Sequence, residues 1–221
     1  MKRPFVVAII QARLGSSRFP RKVLLDIHGT PMLTRMIRRV KRAELVHRIV
    51  VASPDIEVLD VAGNEGVWGI KGSEEDVLGR YVKAALDCDA DIIIRLTADC
   101  PLIDAGVIDG AIKALGTNDF ASNCFLRTFP KGLDVEVMWR DTLIRLHRLA
   151  ETKEEIEHVT WRVYREPWLF KSASYEDLGD CGHLNWSVDY PDDLVFIQEA
   201  YAWMGDTYKS YTELLEWSQC L

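Results

Sequence analysis

The sequence predicts an α/β fold in which a mostly parallel sheet carries helices on both faces. Apolar runs such as 5–11 and 91–96 are continuous, as in strands that are buried on both sides. Other segments place apolar residues three to four positions apart, which is typical of amphipathic helices. The two kinds of segment alternate along the first half of the chain, and this alternation indicates βαβ units. With 221 residues, 48% of them apolar, the chain 1–221 is predicted to form a single domain.

Each element follows from its local pattern. Apolar and β-branched runs predict strands over residues 5–11, 48–52, 67–71, 91–96, 120–123, 135–139, 169–175 and 184–188. The first helix is predicted to begin with Thr30 as its N-cap and Pro31 as its first residue. Helical periodicity predicts further helices over residues 55–64, 74–88, 105–115, 141–150, 155–164, 192–204 and 211–219.

Charge is unevenly distributed along the chain. The net charge is −7, yet residues 1–48 hold 12 Lys and Arg against 2 Asp and Glu, while the remainder holds 15 against 32. The overall acidity argues against a nucleic-acid partner. A basic zone in an acidic chain suits a small polyanion such as a nucleotide. A solvated helix surface accounts equally well for the charge at residues 38–42.

Several features predict a reduced, cytoplasmic protein. The sequence holds no run of 18 apolar residues, so no membrane insertion is expected. Gln11 and Arg13 interrupt the first apolar run, which makes it too short for a signal peptide. The five cysteines are scattered, odd in number and form no CxxC pair, which argues against disulfides and structural zinc.

The most informative segment, residues 11–24, follows the first predicted strand. It reads QARLGSSRFPRKVL and combines four cations with glycine and serine. Arg13, Arg18 and Lys22 supply positive charge, while Gly15, Ser16 and Ser17 permit close backbone approach and the serines offer hydroxyls. Because ligands of open α/β sheets bind beyond the carboxyl ends of strands, this loop is a candidate triphosphate site. A solvated basic loop is the alternative interpretation.

Two carboxylates are predicted at the same edge of the sheet. Asp99 directly follows the strand over 91–96, and Asp189 ends the short strand predicted over 184–188. Oxygen ligands of this kind suit Mg²⁺, which needs only one or two protein carboxylates. Two carboxylates that lie so close repel each other unless a cation sits between them. Alone, each could instead be a turn or helix-start residue. Cys100 is expected to be a packed thiol and not a nucleophile.

The three motifs resemble one known family. The loop over 11–24, the segment DCP at 99–101 and the segment VDYPDD at 188–193 occur in this order in the cytidylyltransferases that activate acidic sugars. These are the acylneuraminate and 3-deoxy-manno-octulosonate (KDO) enzymes, and the chain is most similar to the spore-coat polysaccharide branch. Segments 72–81, 132–137 and 157–160 extend the resemblance over nearly the whole chain.

The resemblance implies a Rossmann-like nucleotide-diphospho-sugar transferase domain and a set of site residues. Its nucleotide-binding residues would be Gln11, Ala12, Arg13, Gly15, Ser16, Arg18, Lys22, Ser73, Arg80 and Asp99. Catalysis would rest on Arg13, Lys22, Asp99 and Asp189, with Asp99 and Asp189 as ligands of Mg²⁺. Acceptor binding would fall to Asp134, Glu136 and His158. The expected partners are CTP, a sugar acceptor and a second copy of the chain, with residues 125–170 forming the dimer or acceptor segment.

The expected reaction is CTP-dependent activation of an acidic or modified sugar to a CMP-sugar, with release of pyrophosphate, for surface polysaccharide or glycan biosynthesis. Two alternatives use the same architecture: a nucleotidyltransferase that joins another NTP to a sugar phosphate, and a nucleotide-sugar glycosyltransferase. The DxD sequences of a glycosyltransferase occur at 87–91, before the strand and not at its end. A catalytically silent binding subunit is the alternative from a different class.

Overall fold

A computed structural model describes residues 3–220 as one seven-stranded sheet flanked by helices. The strands lie in the order β3-β2-β1-β4-β6-β5-β7 across the sheet. Their bounds are β1 Val6–Gln11, β2 Arg48–Ser53, β3 Trp68–Lys71, β4 Ile92–Thr97, β5 Phe120–Ser122, β6 Glu136–Trp139 and β7 Ser172–Ser174.

Strand direction divides the sheet into two parts. Strands β3, β2, β1 and β4 run parallel, and their carboxyl ends share one edge of the sheet. Strand β6 is antiparallel to both β4 and β5, and β7 is parallel to β5. Because β6 runs the opposite way, its first residue, Glu136, lies at the edge where β4 ends, paired with Arg95. The sheet is therefore mostly parallel, as the sequence predicts.

Helices cover both faces of the sheet. They are α1 Met32–Val40, α2 Ile56–Asn64, α3 Val77–Asp87, α4 Ala105–Leu115, α5 Arg140–Leu149, α6 Lys153–Glu157, α7 Trp161–Arg165, α8 Pro191–Met204 and α9 Tyr211–Ser218. Alternate residues of β1 enter two separate cores: Ala8 and Ile10 join α1, α2, α4, α8 and α9, while Val7 and Ile9 join α3, α5 and α7. This two-sided burial is the physical reason for the continuous apolar runs of β1 and β4.

Most predicted elements are confirmed, with three corrections. The predicted strand over 184–188 is wrong, because there Lys131 and Asn185 form only an isolated bridge. The predicted helix over 155–164 is divided into α6 and α7, since Val159 between them has φ 46°. The helix predicted from Pro31 begins one residue later, and Pro31, not Thr30, is its N-cap. Within residues 3–220, no helix has the length and apolar character needed to cross a membrane.

Candidate active site

A cleft of about 280 Å³ opens at the carboxyl ends of β1 and β4. The last residues of these two strands, Gln11 and Thr97, are register partners, so the segments that follow them leave the sheet side by side. The β1 segment contributes the basic loop, and the β4 segment contributes Asp99. The cleft therefore lies where parallel strands of an open sheet direct their ligands.

The basic loop is held in shape by its own backbone. The Leu14 amide donates to Asp55 Oδ2 at 2.8 Å, and the Arg21 amide donates to the Leu14 carbonyl at 2.9 Å. A Cβ on Gly15 would lie 2.6 Å from Glu74 Oε1, so glycine lets this carboxylate approach. The closed turn leads into a 3₁₀ turn, Lys22–Leu24, which buries the Lys22 side chain.

Lys22 connects the two carboxylates that the sequence singled out. Its Nζ lies 3.0 Å from Asp99 Oδ2, 3.1 Å from Asp189 Oδ1 and 2.7 Å from the carbonyl oxygen of Val188. The ammonium thus donates all three of its hydrogens to oxygen acceptors. Asp99 and Asp189 do converge, as the sequence predicts, and in this structure the cation between them is Lys22.

Asp189 is positioned by an extended segment, residues 184–189, which we call the strap. The Trp186 amide donates to the Lys131 carbonyl at 2.7 Å, and the Val188 amide donates to the Asp99 carbonyl at 2.9 Å. The Asp189 amide donates to Asp193 Oδ2 at 2.8 Å, at the start of α8. Asp193 therefore has the helix-start role, which leaves the Asp189 carboxylate for the cleft.

Three cations surround Asp189. Beside Lys22, Lys131 Nζ lies 2.8 Å from Oδ2 and Arg18 Nη2 lies 3.3 Å from Oδ1. Burial acts to raise the pKa of Asp189, but hydrogen bonds from Lys131 and Lys22 outweigh it and lower the pKa to about 2. Asp189 is therefore a carboxylate at neutral pH.

The cleft is also lined by buried polar groups that lack a hydrogen-bond partner among the described residues. Gln11 Oε1 and Arg80 Nε are buried without a hydrogen-bond partner among the described residues, and both side chains line the cleft. Burial, reinforced by the nearby charge of Arg13, lowers the pKa of Arg80. Arg13 lies at the mouth, where its Nη2 is 3.1 Å from Glu157 Oε1. A buried donor without a partner, such as Arg80 Nε, beside cationic side chains is typical of an anion-binding site.

A second cavity, of about 220 Å³, shares Arg95 and Thr97 with the cleft. Glu136 lies in its wall and accepts hydrogen bonds from Arg95 at 2.6 Å, from Tyr164 at 2.6 Å and from Thr160 at 3.0 Å. Asp134 lines the same cavity and forms a two-pronged ion pair with Arg127. Two of the three predicted acceptor residues are thus together in this cavity.

The structure brings most of the predicted residues to one place. Lining the cleft are Gln11, Ala12, Arg13, Ser16, Arg18, Lys22, Arg80, Asp99, His158 and Asp189. Ser73 and Gly15 do not line it directly: the Ser73 carbonyl accepts from Arg80, and Gly15 contacts Glu74. Cys100 is buried, and this burial raises the pKa of its thiol well above the usual range. Cys100 is therefore a packed thiol, as expected.

Sequence reasoning missed several residues of the site, namely Arg95, Thr97, Lys131, Glu157 and Tyr164. Thr97 and Arg95 carry a usable signal, because both are polar residues near the end of a buried strand. Lys131 and Tyr164 carry none, since their positions depend on how the second half of the chain folds back onto the cleft.

A sequence model of the family described as Cytidylyltransferase matches residues 7–185. The chain belongs to this family. The cytidylyltransferase is therefore a nucleotidyltransferase, and the family match includes the basic loop, Asp99 and the residues that line the second cavity, while Asp189 follows its end.

Individual proteins agree with this assignment. The spore coat polysaccharide biosynthesis protein SpsF of Bacillus subtilis is 31% identical over 175 residues, which are 75% of this chain and 72% of that protein. The 3-deoxy-manno-octulosonate cytidylyltransferase of Trichlorobacter lovleyi is 42% identical over 110 residues, which are 49% of this chain and 44% of that protein.

Solved structures agree on the fold. A cytidylyltransferase from Leptospira borgpetersenii superimposes with a TM-score of 0.93 at 31% identity, covering 97% of this chain and 93% of that one. A CMP-KDO synthetase solved with CTP gives a TM-score of 0.72 at 21% identity, covering 90% and 99% of the two chains. At 21% identity, the similarity to the CMP-KDO synthetase shows a shared fold and no more.

The carboxylates of this cytidylyltransferase have the chemistry to hold a divalent cation. Within residues 3–220, His, Cys, Asp and Glu form no group of three with metal-binding geometry. Asp99 and Asp189 nevertheless direct one oxygen each at the same ammonium. Two hard oxygen donors beside an anion-binding loop fit Mg²⁺, which commonly completes its shell with phosphate oxygens and water.

Proposed function

We propose that this cytidylyltransferase transfers the CMP group of CTP to a hydroxyl oxygen of an acidic or modified sugar for surface polysaccharide or glycan biosynthesis. The observation that carries the proposal is the convergence of the basic loop, Asp99 and Asp189 on one cleft that adjoins a second polar cavity. The cleft suits a triphosphate, and the second cavity suits an acceptor. The names of the relatives support both the nucleotide and the sugar.

The reaction requires positioning and charge neutralisation more than it requires a protein nucleophile. The acceptor oxygen forms a bond to the α-phosphorus, the bond from that phosphorus to the bridging oxygen breaks, and pyrophosphate leaves with the bonding electrons. The acceptor hydroxyl releases its proton to solvent water. Arg13, Arg18 and Lys22 bind the triphosphate and stabilise the charge that develops on pyrophosphate.

Asp99 and Asp189 would hold Mg²⁺ in this proposal. The cation would supply charge neutralisation at the phosphate and lower the pKa of the attacking hydroxyl. On the nucleoside side, Arg80 and Gln11 offer a buried donor and a buried acceptor that have no partner among the described residues. We assign these two groups to the base or ribose, because both line the cleft and are not engaged by the protein part that the structure describes.

The acceptor is proposed to occupy the cavity formed by Arg127, Asp134, Glu136 and Tyr164. Paired charges and hydroxyl groups in its wall suit a ligand rich in hydroxyls. His158 is exposed and lines the cleft near Glu157, so it is placed to contact an acceptor that spans both cavities.

A pyrophosphate-release assay with Mg²⁺ tests the proposal across the four common NTPs, each combined with a panel of acidic and neutral sugars and sugar phosphates. We expect release with CTP, and we expect CTP to stabilise the protein against heat more than UTP, GTP or ATP does. Equal or larger thermal shifts with a purine nucleotide would refute the base assignment. Release only with a sugar phosphate would favour the alternative nucleotidyl transfer, and no release with any pair would favour a silent subunit.

A further inference from the structure

We propose that Lys22 is a built-in counter-ion for the Asp99 and Asp189 carboxylates and must leave them before a divalent cation can bind there. Nucleotide and metal binding are coupled as a result: the triphosphate draws Lys22 away, and the carboxylates then become available. The proposal rests on the proposed function, because that function supplies both the triphosphate and the metal.

The contacts of Lys22 occupy one oxygen of each carboxylate that a divalent cation would need. Its Nζ donates to Oδ2 of Asp99 at 3.0 Å and to Oδ1 of Asp189 at 3.1 Å. The Val188 carbonyl accepts its third hydrogen at 2.7 Å. The Lys22 side chain is only 11% exposed and that of Asp189 only 12%. An ammonium has no lone pair with which to coordinate a metal, so the two cations compete for the same oxygens.

The local charge also opposes a free divalent cation. Two carboxylates, Asp99 and Asp189, face three positive groups, Lys22, Lys131 and Arg18. This set of five groups carries a net charge of +1. Coulomb repulsion from that excess acts over a few ångströms in a half-buried site, where screening by water is weak.

A polyanion in the cleft reverses this balance. Lys22 lines the cleft together with Arg13 and Arg18, so its ammonium lies within the space that a triphosphate would occupy. Phosphate oxygens are strong acceptors for an ammonium and compete with the carboxylates for it. Once Lys22 turns toward the phosphates, Asp99 Oδ2 is released, and Asp189 Oδ1 keeps only the longer contact with Arg18, at 3.3 Å. Metal binding therefore follows nucleotide binding or accompanies it.

Mn²⁺ binding in the absence of nucleotide tests the exchange directly. Mn²⁺ is used because its electron paramagnetic resonance signal distinguishes free from bound ion. We expect Lys22→Met to bind Mn²⁺ at least about tenfold more tightly than the wild type, because the competing charge is gone. The matched control is Lys83→Met, which removes an exposed lysine paired with Asp87 and changes the net charge equally. This control is expected to bind Mn²⁺ as the wild type does.

Wild-type protein that binds Mn²⁺ as tightly as Lys22→Met would overturn the proposal. If Lys22→Met does not fold, Lys22→Gln replaces it, since a neutral amide keeps hydrogen-bond donors at this position without the positive charge. A gain in Mn²⁺ affinity is expected there too, and the absence of a gain would count against the exchange. The comparison contains no nucleotide, so it is independent of the pyrophosphate assay. Failure of that assay with every nucleotide would refute the proposed function alone.

Discussion

At the scale of single residues, Asp99 and Asp189 have different surroundings although they meet at the same ammonium. Asp99 accepts from Lys22 and from the Cys100 thiol. Asp189 accepts from Lys22, Lys131 and Arg18. The two carboxylates share a proposed role in catalysis, but Asp189, which has three cationic partners, is expected to contribute more to the stability of the folded protein than Asp99, which has one.

We expect Asp99→Asn and Asp189→Asn each to lower turnover by at least about a hundredfold, because each removes one of two charges at the proposed metal site. The double variant should be little worse than either single one, as for residues that act as a unit. Stability should separate them: Asp189→Asn should cost about 1–3 kcal/mol, since it leaves Lys131 and Arg18 without an ion-pair partner among the described residues, and Asp99→Asn should cost less.

Steady-state pyrophosphate release and urea unfolding measure these two effects. If Asp189→Asn keeps near-wild-type turnover over a range of Mg²⁺ concentrations, Asp189 has a structural role only. Relief of carboxylate repulsion would make both variants more stable than the wild type, and that result would contradict the pairing with Lys22.

The sequence predicted these two aspartates because each lies near the end of an apolar run, but it could not identify Lys131 as their neighbour. Lys131 reaches Asp189 only because the strap passes beside it, with Trp186 donating to its carbonyl. Similarly, Arg95 meets Glu136 because β6 lies next to β4 in the sheet. Which residues of different strands become neighbours depends on the order of the strands in the sheet, and local sequence patterns do not encode this order.

At the scale of elements, the strap is fixed by a close approach at Gly132. This glycine has φ 102°, and a Cβ there would lie 2.5 Å from the carbonyl carbon of Trp186 and 2.6 Å from the Ser187 amide nitrogen. We expect Gly132→Ala to cost about 2 kcal/mol or more of unfolding free energy, through backbone strain and displacement of the strap. Because the strap carries Asp189, turnover should fall as well.

Gly63→Ala is the matched control for this prediction. Gly63 lies in α2, and a Cβ there would meet nothing within 4 Å. Alanine is the better helix former, so this variant should equal the wild type or exceed its stability by up to about 1 kcal/mol. Thermal unfolding and pyrophosphate release measure both variants. Equal behaviour of the two alanine variants would show that the strap does not depend on Gly132.

Helix α6 makes a pH-dependent contribution to stability through Glu155. This carboxylate accepts from Arg162 and from the amides of Glu151 and Thr152. The Arg162 hydrogen bond is the largest of several interactions that lower the pKa of Glu155 to about 2. A lowered pKa in the folded state stabilises the protein above the unfolded pKa, and this gain is lost as the pH falls toward the folded value.

We therefore expect Glu155→Gln to unfold more easily than the wild type at neutral pH, with a difference that shrinks as the pH falls below about 4. Urea unfolding at several pH values measures this difference. Glu154→Gln, which changes the neighbouring exposed carboxylate of α6, is the control and should show little difference at any pH. A constant deficit for Glu155→Gln would mean that the ionised form of Glu155 contributes nothing beyond its shape.

Two predicted elements, the strand over 184–188 and the helix over 155–164, differ from the structure because a sequence pattern does not specify the backbone conformation. The apolar run over 184–188 is buried through Trp186 and Val188, but its hydrogen bonds go to Lys131 and Asp99 and not to a strand ladder. The apolar residues of this segment are buried as in a strand, and this apolar pattern led to the strand prediction although the segment joins no sheet. Between α6 and α7, the periodicity continues across Val159, whose positive φ ends the first helix. Such a backbone conformation is rare for a β-branched residue, so the sequence contains no signal for it.

At the scale of the whole molecule, the homodimer through residues 125–170 stays a prediction. Of the five aromatics in this segment that look exposed from sequence, Phe129 is buried and Trp168 is 76% exposed, while Phe125, Trp139 and Trp161 are half-buried. Leu126 and Leu169 are also exposed. Large apolar side chains at the surface favour association.

We expect Trp168→Ser to convert a dimer to a monomer in light scattering at micromolar concentration, because tryptophan contributes strongly to interface energy. Ile56→Ser is the control: Ile56 is 61% exposed at the start of α2 and lies outside the predicted segment. A wild-type monomer, or a dimer that survives Trp168→Ser unchanged, would place the interface elsewhere or remove it.

The central position of β1 has a consequence for how the chain acquires its structure during synthesis. Strand β1 is made before both of its hydrogen-bonding neighbours, β2 and β4, and the Phe5 amide donates to Asp91 Oδ2 at 2.8 Å. Until β4 has emerged from the ribosome, one edge of Val6–Gln11 is without its partner and its apolar side chains lack a complete cover. Such long-range pairing slows folding and exposes an aggregation-prone segment in the meantime. The nascent chain is therefore most in need of a chaperone before residue 97 is free, and a ribosome stalled within β4 would present this strand for capture.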